Sequence, residues 1–303
     1  MKRILITGVD GFVGRNLVDA WMHRFDLIGI DLPADLFSAE NGTLVKWHHS
    51  INQADLREDS AYYEFLLADV DIVIHCAART RINASWTEYA DYYNTNIVSS
   101  HSLFNAAQKH GVKKFIYFSS SSVYGNGIEG ASKETDRLQP TNPYAVSKAA
   151  AEMALTAQTI KGNTELVIVR PFTMYGEHMN YGKYSLAIAK FLSMAEQNLP
   201  LIIDGTGKQR RDFVHVSDAI QALEIIMEHG KNGDIYNIGT GQTVSVQELA
   251  DTVSRRQIRV PDRIGAVDIT CADITRLHQL GYQPTIKVVD WLTARVKELI
   301  IKQ

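Results

Sequence analysis

An apolar strand that ends in a glycine turn and runs at once into a helix is the feature that most restricts this chain. Ile4-Leu5-Ile6-Thr7 is short and apolar. Gly8-Val9-Asp10-Gly11-Phe12-Val13-Gly14 follows, and then Arg15-Asn16-Leu17-Val18-Asp19-Ala20-Trp21. Such a turn aims backbone N–H groups and the positive end of a helix at a phosphate. The spacing is Gly-x-x-Gly-x-x-Gly, not the commoner Gly-x-Gly-x-x-Gly. A glycine trio alone says little, but its place between a strand and a helix gives it weight.

The rhythm then repeats. Leu27-Ile28-Gly29-Ile30 reads as a second strand and ends in Asp31. A carboxylate there accepts both ribose hydroxyls of an adenosine and repels a 2′-phosphate, which favours NAD over NADP. Residues 33 to 52 are less regular, and Asp55-Leu56 precedes a helical stretch from Ser60 to Leu67. Val70 to Ile74 is another strand, ending in His75-Cys76-Ala77-Ala78, where small residues let a flat ligand approach the backbone. His75 reads as a packed, hydrogen-bonded histidine. Tyr89 to His110 reads as one long helix containing Asn96, and Leu166 to Arg170 as a strand stopped by Pro171. Strand and helix in alternation predict an α/β, Rossmann-type doubly wound parallel sheet with its ligand along the carboxyl ends of the strands.

After Pro171 the pattern changes. Thr173 to Lys183 is loop-like, and Leu186 to Gln197 reads as a helix. Short strands fall at Leu201 to Asp204 and Ile235 to Gly239. Ser217 and Asp218 are expected to cap a helix from Ala219 to His229, and Val246 to Arg255 and Ile286 to Ile301 look helical. Residues 1–171 are expected to form the nucleotide-binding domain and 172–303 a smaller, interleaved substrate lobe. Among 303 residues, 45% are apolar, the net charge is −3, and no long charged run advertises nucleic acid or a membrane surface. The two cysteines, Cys76 and Cys271, have no ligand-like spacing, so neither a disulfide framework nor a metal site is expected. The start of the chain reads as a strand, not a signal peptide, and no segment reaches transmembrane length. A cytoplasmic protein is expected.

The stretch Phe115 to Lys148 points to chemistry. Phe115-Ile116-Tyr117-Phe118 reads as a buried strand and runs into Ser119-Ser120-Ser121-Ser122-Val123-Tyr124-Gly125. Further on, Pro143 opens a helix in which Tyr144 and Lys148 stand four residues apart and so share a face. A free phenol has a pKa of about 10, too high for a base at neutral pH. A neighbouring ammonium is expected to lower it, and a serine hydroxyl at a strand end binds the same substrate oxygen.

Together these motifs resemble the extended short-chain dehydrogenase/reductase superfamily, in its nucleotide-sugar epimerase/dehydratase branch. The resemblance covers nearly the whole chain. It rests on Thr7-Gly8-x-x-Gly11-x-x-Gly14, Asp31, Asp55-Leu56, His75-Cys76-Ala77-Ala78, Asn96, Ser119 to Gly125 and Tyr144-x-x-x-Lys148. Arg170-Pro171-Phe172-Thr173-Met174-Tyr175-Gly176, Arg211 to Asp218 and Asn237-Ile238-Gly239 extend it. It implies Ser120, Tyr144 and Lys148 as the catalytic trio, with Tyr144 as base. NAD would lie against Gly8, Gly11, Phe12, Val13, Gly14, Asp31, Asp55, Leu56, Cys76, Ala77, Ala78, Asn96, Tyr144, Lys148 and Pro171. Ser85, Ser120, Ser122, Tyr144, Thr173, Arg211, Arg263 and Thr270 would face a nucleotide-diphosphate sugar, with a UDP-sugar favoured.

The resemblance also bears on the reaction. Related 4,6-dehydratases carry Asp-Glu where Ser121-Ser122 stand here, and related decarboxylases carry Glu at the Ser122 position. A 4-epimerase needs only one base and a retained NAD: C4 is oxidised, the 4-keto sugar turns over, and hydride returns to the other face. A 4-ketoreductase and a non-catalytic NAD-binding regulator are the alternatives. Three departures, Thr173 for Asn, Glu177 for Pro and Ala266 for Asp, fall in the sugar-nucleotide half. Thr270 stands where a bulky aromatic would exclude substituted sugars, so tolerance of an N-acetyl or carboxylate group is expected. The Tyr89–His110 and Tyr144–Ile160 helices are expected to pair across a twofold axis into a homodimeric four-helix bundle.

Overall fold

The structure, a computed structural model, describes residues 1–32, 51–58, 60–126, 130–179, 187–261 and 267–302. Arg263 and Ala266 lie outside the described residues.

Strands β1 (Arg3–Thr7), β2 (Asp26–Asp31), β3 (Ile51–Gln53), β4 (Ile72–His75), β5 (Lys114–Phe118) and β6 (Glu165–Pro171) join a later strand, Ile235–Ile238, in one seven-stranded sheet. From one edge the order is β3-β2-β1-β4-β5-β6 and then Ile235–Ile238, and every pairing is parallel. The strands are apolar on both faces because helices cover both. Ile4, Ile6, Ile72, Ile74, Ile116 and Phe118 pack on the helices Phe12–Trp21 and Val216–His229. Leu5, Val73, Phe115 and Tyr117 face the opposite way, against Leu103, Phe104 and Leu155. The strand order reverses between β1 and β4, the switch point at whose carboxyl ends sheets of this kind bind their ligands.

The long helix forms as expected, with one departure. Tyr89–Tyr93 and Ser99–Lys109 are α-helical, and Asn94–Val98 between them is a π-turn. Such a bulge shifts the register of one side chain, and here that side chain is Asn96.

Three expectations are corrected. Thr173–Tyr175 is a short strand, not loop, because it pairs in parallel with Phe213–His215. Pro171 does not stop its strand but ends it from within, where the missing N–H leaves no ladder bond unmade. Neither Ser217 nor Asp218 caps the following helix. That helix starts at Val216, straight from the strand, and His215 caps it by accepting from the Ser217 N–H at 3.2 Å. Asp218 instead accepts the backbone N–H groups of Thr285 and Ile286 at 3.1 and 3.0 Å, tying the segment before the last helix to this one.

Pieces from beyond residue 171 therefore serve two layers. Ile235–Ile238 and Val216–His229 complete the large sheet and its cover. The helices Ala187–Glu196, Val246–Val253 and Val288–Lys302 enclose a separate apolar cluster around Phe191, Leu192, Leu249 and Leu292. Among the described residues no helix is long and apolar enough to cross a membrane.

Candidate active site

The glycine turn is built by close backbone approach. Gly8 takes a left-handed φ of 70°, and its N–H donates to Ile30 O at 2.8 Å. A Cβ on Gly8 would lie 2.7 Å from Ala77 N, so the turn is pressed against the end of β4. A Cβ on Gly14 would lie 2.4 Å from Gly8 O and 2.5 Å from Val9 Cα. The helix then begins at Phe12 and Val13 from an extended Gly11, with no side-chain cap. The first N–H groups of that helix are left for an acceptor from elsewhere.

The carboxyl ends of the neighbouring strands close around this turn. Asp31, at the end of β2, accepts the Asp10 N–H at 2.7 Å and the Leu32 N–H at 2.8 Å. Burial pushes its carboxyl up to about 6, against the pull of those two N–H groups. Asp55 is bridged by Arg57, whose hydrogen bonds hold its carboxyl below the usual range, and Leu56 beside it is buried. Ala77 N–H donates to Thr7 Oγ1 at 3.2 Å, and burial drives the Cys76 thiol well above its ordinary value. His75 is packed as expected, between Thr7 Oγ1 at 2.6 Å and Ser100 Oγ at 2.8 Å. Pro171 is buried at the end of β6.

Asn96 acts through the loop after β4. Its amide donates to Arg79 O and Ser147 Oγ, both at 2.9 Å, and its Oδ1 accepts the Arg79 N–H at 2.9 Å. The π-turn aims it there. Ser147 and Arg79 were not singled out from the sequence. The one signal was Ser147's place directly before Lys148.

Ser120, Tyr144 and Lys148 come together at the end of β5. Ser120 caps the short turn Ser121–Tyr124, accepting from Ser122 N–H at 3.2 Å and Ser122 Oγ at 2.9 Å. Its hydroxyl is close enough to the Tyr144 phenol to favour the phenolate. Asn142 caps the Tyr144 helix, accepting the Ala145 N–H at 2.9 Å, and Pro143 opens it. Lys148 Nζ donates to Phe118 O at 2.6 Å and lies 4.9 Å from the centre of the Tyr117 ring. Burial lowers its ammonium to about 8, opposed by Cys76 and Glu152.

The expected lowering of Tyr144 by Lys148 is not what the protein alone shows. Burial raises the phenol above its ordinary value, and only the Ser120 hydroxyl opposes this. Loss of solvent disfavours phenolate and ammonium alike, and the Lys148 hydrogen bond goes to a backbone carbonyl.

Thr173, Arg211 and Thr270 meet around Asp212. Its N–H donates to Thr270 O at 2.8 Å, and its carbonyl accepts the Thr173 N–H at 3.0 Å. Thr270 pairs with Arg211 in a short parallel ladder. The buried Asp212 carboxylate accepts Thr240 N–H, Gly241 N–H and Ala272 N–H at 2.8, 2.9 and 3.0 Å. Arg211 Nη1 donates to Asp268 O at 3.1 Å and Nη2 to Val267 O at 2.5 Å. Ser85 is fully buried and donates to Ile82 O at 2.6 Å, turned into its own helical turn. Asp212 was missed in the sequence, where it stood only as part of a longer motif. Among the described residues no group of three or more His, Cys, Asp or Glu is placed to hold a metal ion.

Known proteins share this architecture. The sequence profile of the NAD dependent epimerase/dehydratase family matches residues 4–239. The dTDP-D-glucose 4,6-dehydratase of Mus musculus is 35% identical over 318 residues, spanning 96% of this chain and 88% of that protein. The crystal structure of UDP-glucose 4-epimerase from Thermotoga maritima with UDP-glucose superposes with a TM-score of 0.90 at 27% identity, covering 99% of each chain. MoeE5 in complex with UDP-glucuronic acid and NAD superposes with a TM-score of 0.86 at 28% identity, again over 99% of each chain. A parallel nucleotide-binding sheet with a Ser, Tyr and Lys gathered at the carboxyl end of β5 defines an extended short-chain dehydrogenase/reductase. This chain belongs to the NAD-dependent epimerase/dehydratase family of that class.

The residues present fit NAD. Gly8 and Gly14 let the turn fold tightly against its own backbone and the end of β4, the helix start has no side-chain acceptor, and Asp31 ends the adjacent strand.

Proposed function

We propose that this protein is a nucleotide-sugar 4-epimerase acting on a UDP-sugar. One observation carries the reading: positions 121 and 122 hold hydroxyls, and Ser122 donates to Ser120, whose hydroxyl favours the Tyr144 phenolate. Elimination of water across C5 and C6 needs a carboxylic acid and base at those two positions. A hydroxyl chain ending on a phenol serves the C4 oxygen alone.

In this reading Tyr144 Oη takes the proton of the C4 hydroxyl and later gives it back. Ser120 binds the same oxygen, its orientation set by the Ser122 hydroxyl. Lys148 lies one helical turn from Tyr144, and its ammonium favours the phenolate once substrate and cofactor complete the site. NAD, when bound, takes up the C4 hydride and returns it to the opposite face. Arg211 and Arg263 hold the substrate's diphosphate or nucleoside, and Thr270 leaves room beside the sugar for an N-acetyl or carboxylate group. The test is a screen of UDP-, dTDP-, GDP- and CDP-sugars with products identified by NMR. C4 epimers are the expected products, and a 4-keto-6-deoxy sugar would overturn the reading.

Asp31 is proposed as the ribose contact. Asp31→Ala is expected to weaken NAD binding by about 10- to 100-fold, the worth of a charge-assisted hydrogen bond. It should also narrow the margin over NADP. With its carboxyl near 6, NAD affinity should fall as pH drops through that value, because the protonated acid loses an acceptor. Titration of both dinucleotides checks this; an unchanged preference removes Asp31 from the ribose site.

A homodimer belongs to the same proposal. Leu103, Ala106, Ala107, Ala151 and Leu155 of the two long helices are core, not outer face. The outer faces instead show Tyr89, Val98, Val146 and Met153, all exposed. A second copy covering them would remove an apolar surface from water. Sedimentation should show twice the 33.9 kDa chain mass, and the single-chain mass alone at micromolar concentration would contradict it.

A further inference from the structure

On the Pro143–Gln158 helix, Glu152 stands one turn beyond Lys148, just as Lys148 stands one turn beyond Tyr144. The rise of a helix sets Lys148 and Glu152 about 6 Å apart along its axis, on one face. Glu152 is not free to leave. Its carboxylate accepts Arg170 Nε at 3.0 Å and Nη2 at 2.6 Å, and both side chains are almost wholly buried, at 5% and 3% exposure. Arg170 is fixed in turn by Tyr124 Oη at 2.9 Å and Glu134 O at 3.0 Å. Tyr124 donates to Asn237 Oδ1 at 2.7 Å.

A buried ion pair is weak evidence for stability, since desolvation offsets much of the attraction. Its placement directly behind the reacting helix face is what needs a reason. We infer that Glu152 is a positioning residue for the Tyr144–Lys148 pair: its carboxylate, clamped by Arg170, keeps the Lys148 ammonium charged and seated. The inference rests on the reading of Lys148 as the partner of Tyr144.

The other groups around Lys148 do not supply that charge. His75 and Cys76 face it from β4; Cys76 would favour the ammonium only as a thiolate, and burial keeps it a neutral thiol, while the imidazole is lowered to about 3. Tyr117 and the Phe118 carbonyl face it from β5, and burial holds the Tyr117 phenol neutral. Tyr144 is raised as well. Glu152 is the carboxylate that opposes the loss of the Lys148 charge, and Arg170 clamps it with two hydrogen bonds.

The test follows Lys148 itself. In protein labelled with ¹⁵N at lysine Nζ, the Lys148 signal is the one lost in Lys148→Arg, and its midpoint is expected near 8. In Glu152→Gln the midpoint should fall by about one pH unit or more, and the alkaline limb of turnover should fall with it. An unchanged midpoint in folded Glu152→Gln overturns the inference, and lowered thermal stability alone would then mark the pair as purely structural. Glu152→Gln combined with Arg170→Gln leaves no lone buried charge. There too the midpoint should fall, because Glu152 and not Arg170 is the charge that acts on Lys148, and an unchanged value overturns the inference. Failure of the underlying reading looks different: Tyr144→Phe would keep turnover however Lys148 titrates.

Discussion

Tyr144→Phe is expected to lower turnover by about 10²- to 10⁴-fold, the range for removing a positioned acid–base group, while leaving NAD binding largely intact. The phenol oxygen carries the proton, and the ring fills the same buried space beside Tyr92, 6.5 Å away between ring centres. The substitution also takes the phenol oxygen from beside Ser120 without exposing a charge. Product formation measured alongside the NAD content of the purified protein checks both halves. Wild-type rates in the variant would remove Tyr144 from the mechanism.

Gly14→Ala is expected to abolish NAD binding and to destabilise the fold by roughly 2 kcal/mol or more, the scale of overpacking against atoms that cannot yield. The added methyl would sit 2.4 Å from Gly8 O and 2.6 Å from Val9 O, both backbone. Relief requires the turn to open, and the turn is what aims the helix N–H groups. Thermal unfolding and NAD titration of the variant measure the two effects separately. Near-normal NAD affinity would show that the glycine turn is not the phosphate cradle.

What could be read from the sequence was local. The glycine turn, the strand ends and the Tyr144–Lys148 spacing carry their signal in a few consecutive residues, and each stands where its pattern placed it. His75 was legible as a packed residue because it ended an apolar strand, and two hydroxyls hold it there. The misreadings fall where partners are distant. Thr173–Tyr175 becomes a strand only through Phe213–His215, some forty residues on. Asp218 had the look of a helix cap, but the strand running directly into its helix moved the cap to His215. The direction of the Tyr144 shift was missed because spacing reports a neighbouring charge and not the depth of burial. Glu152 was within reach, since the same four-residue step leads to it from Lys148. Its partner Arg170, on another strand, was not.

The central claim is that C4 is epimerised with no net redox change and no cofactor exchange. The most direct measurement is ¹H NMR of a UDP-hexose or UDP-hexuronate incubated with the purified protein and no added dinucleotide. The account predicts conversion to a mixture of C4 epimers, with the C6 substituent intact and the same mixture reached from either epimer. Accumulation of a 4-keto-6-deoxy sugar, or turnover that requires added NADH or NADPH, would contradict it.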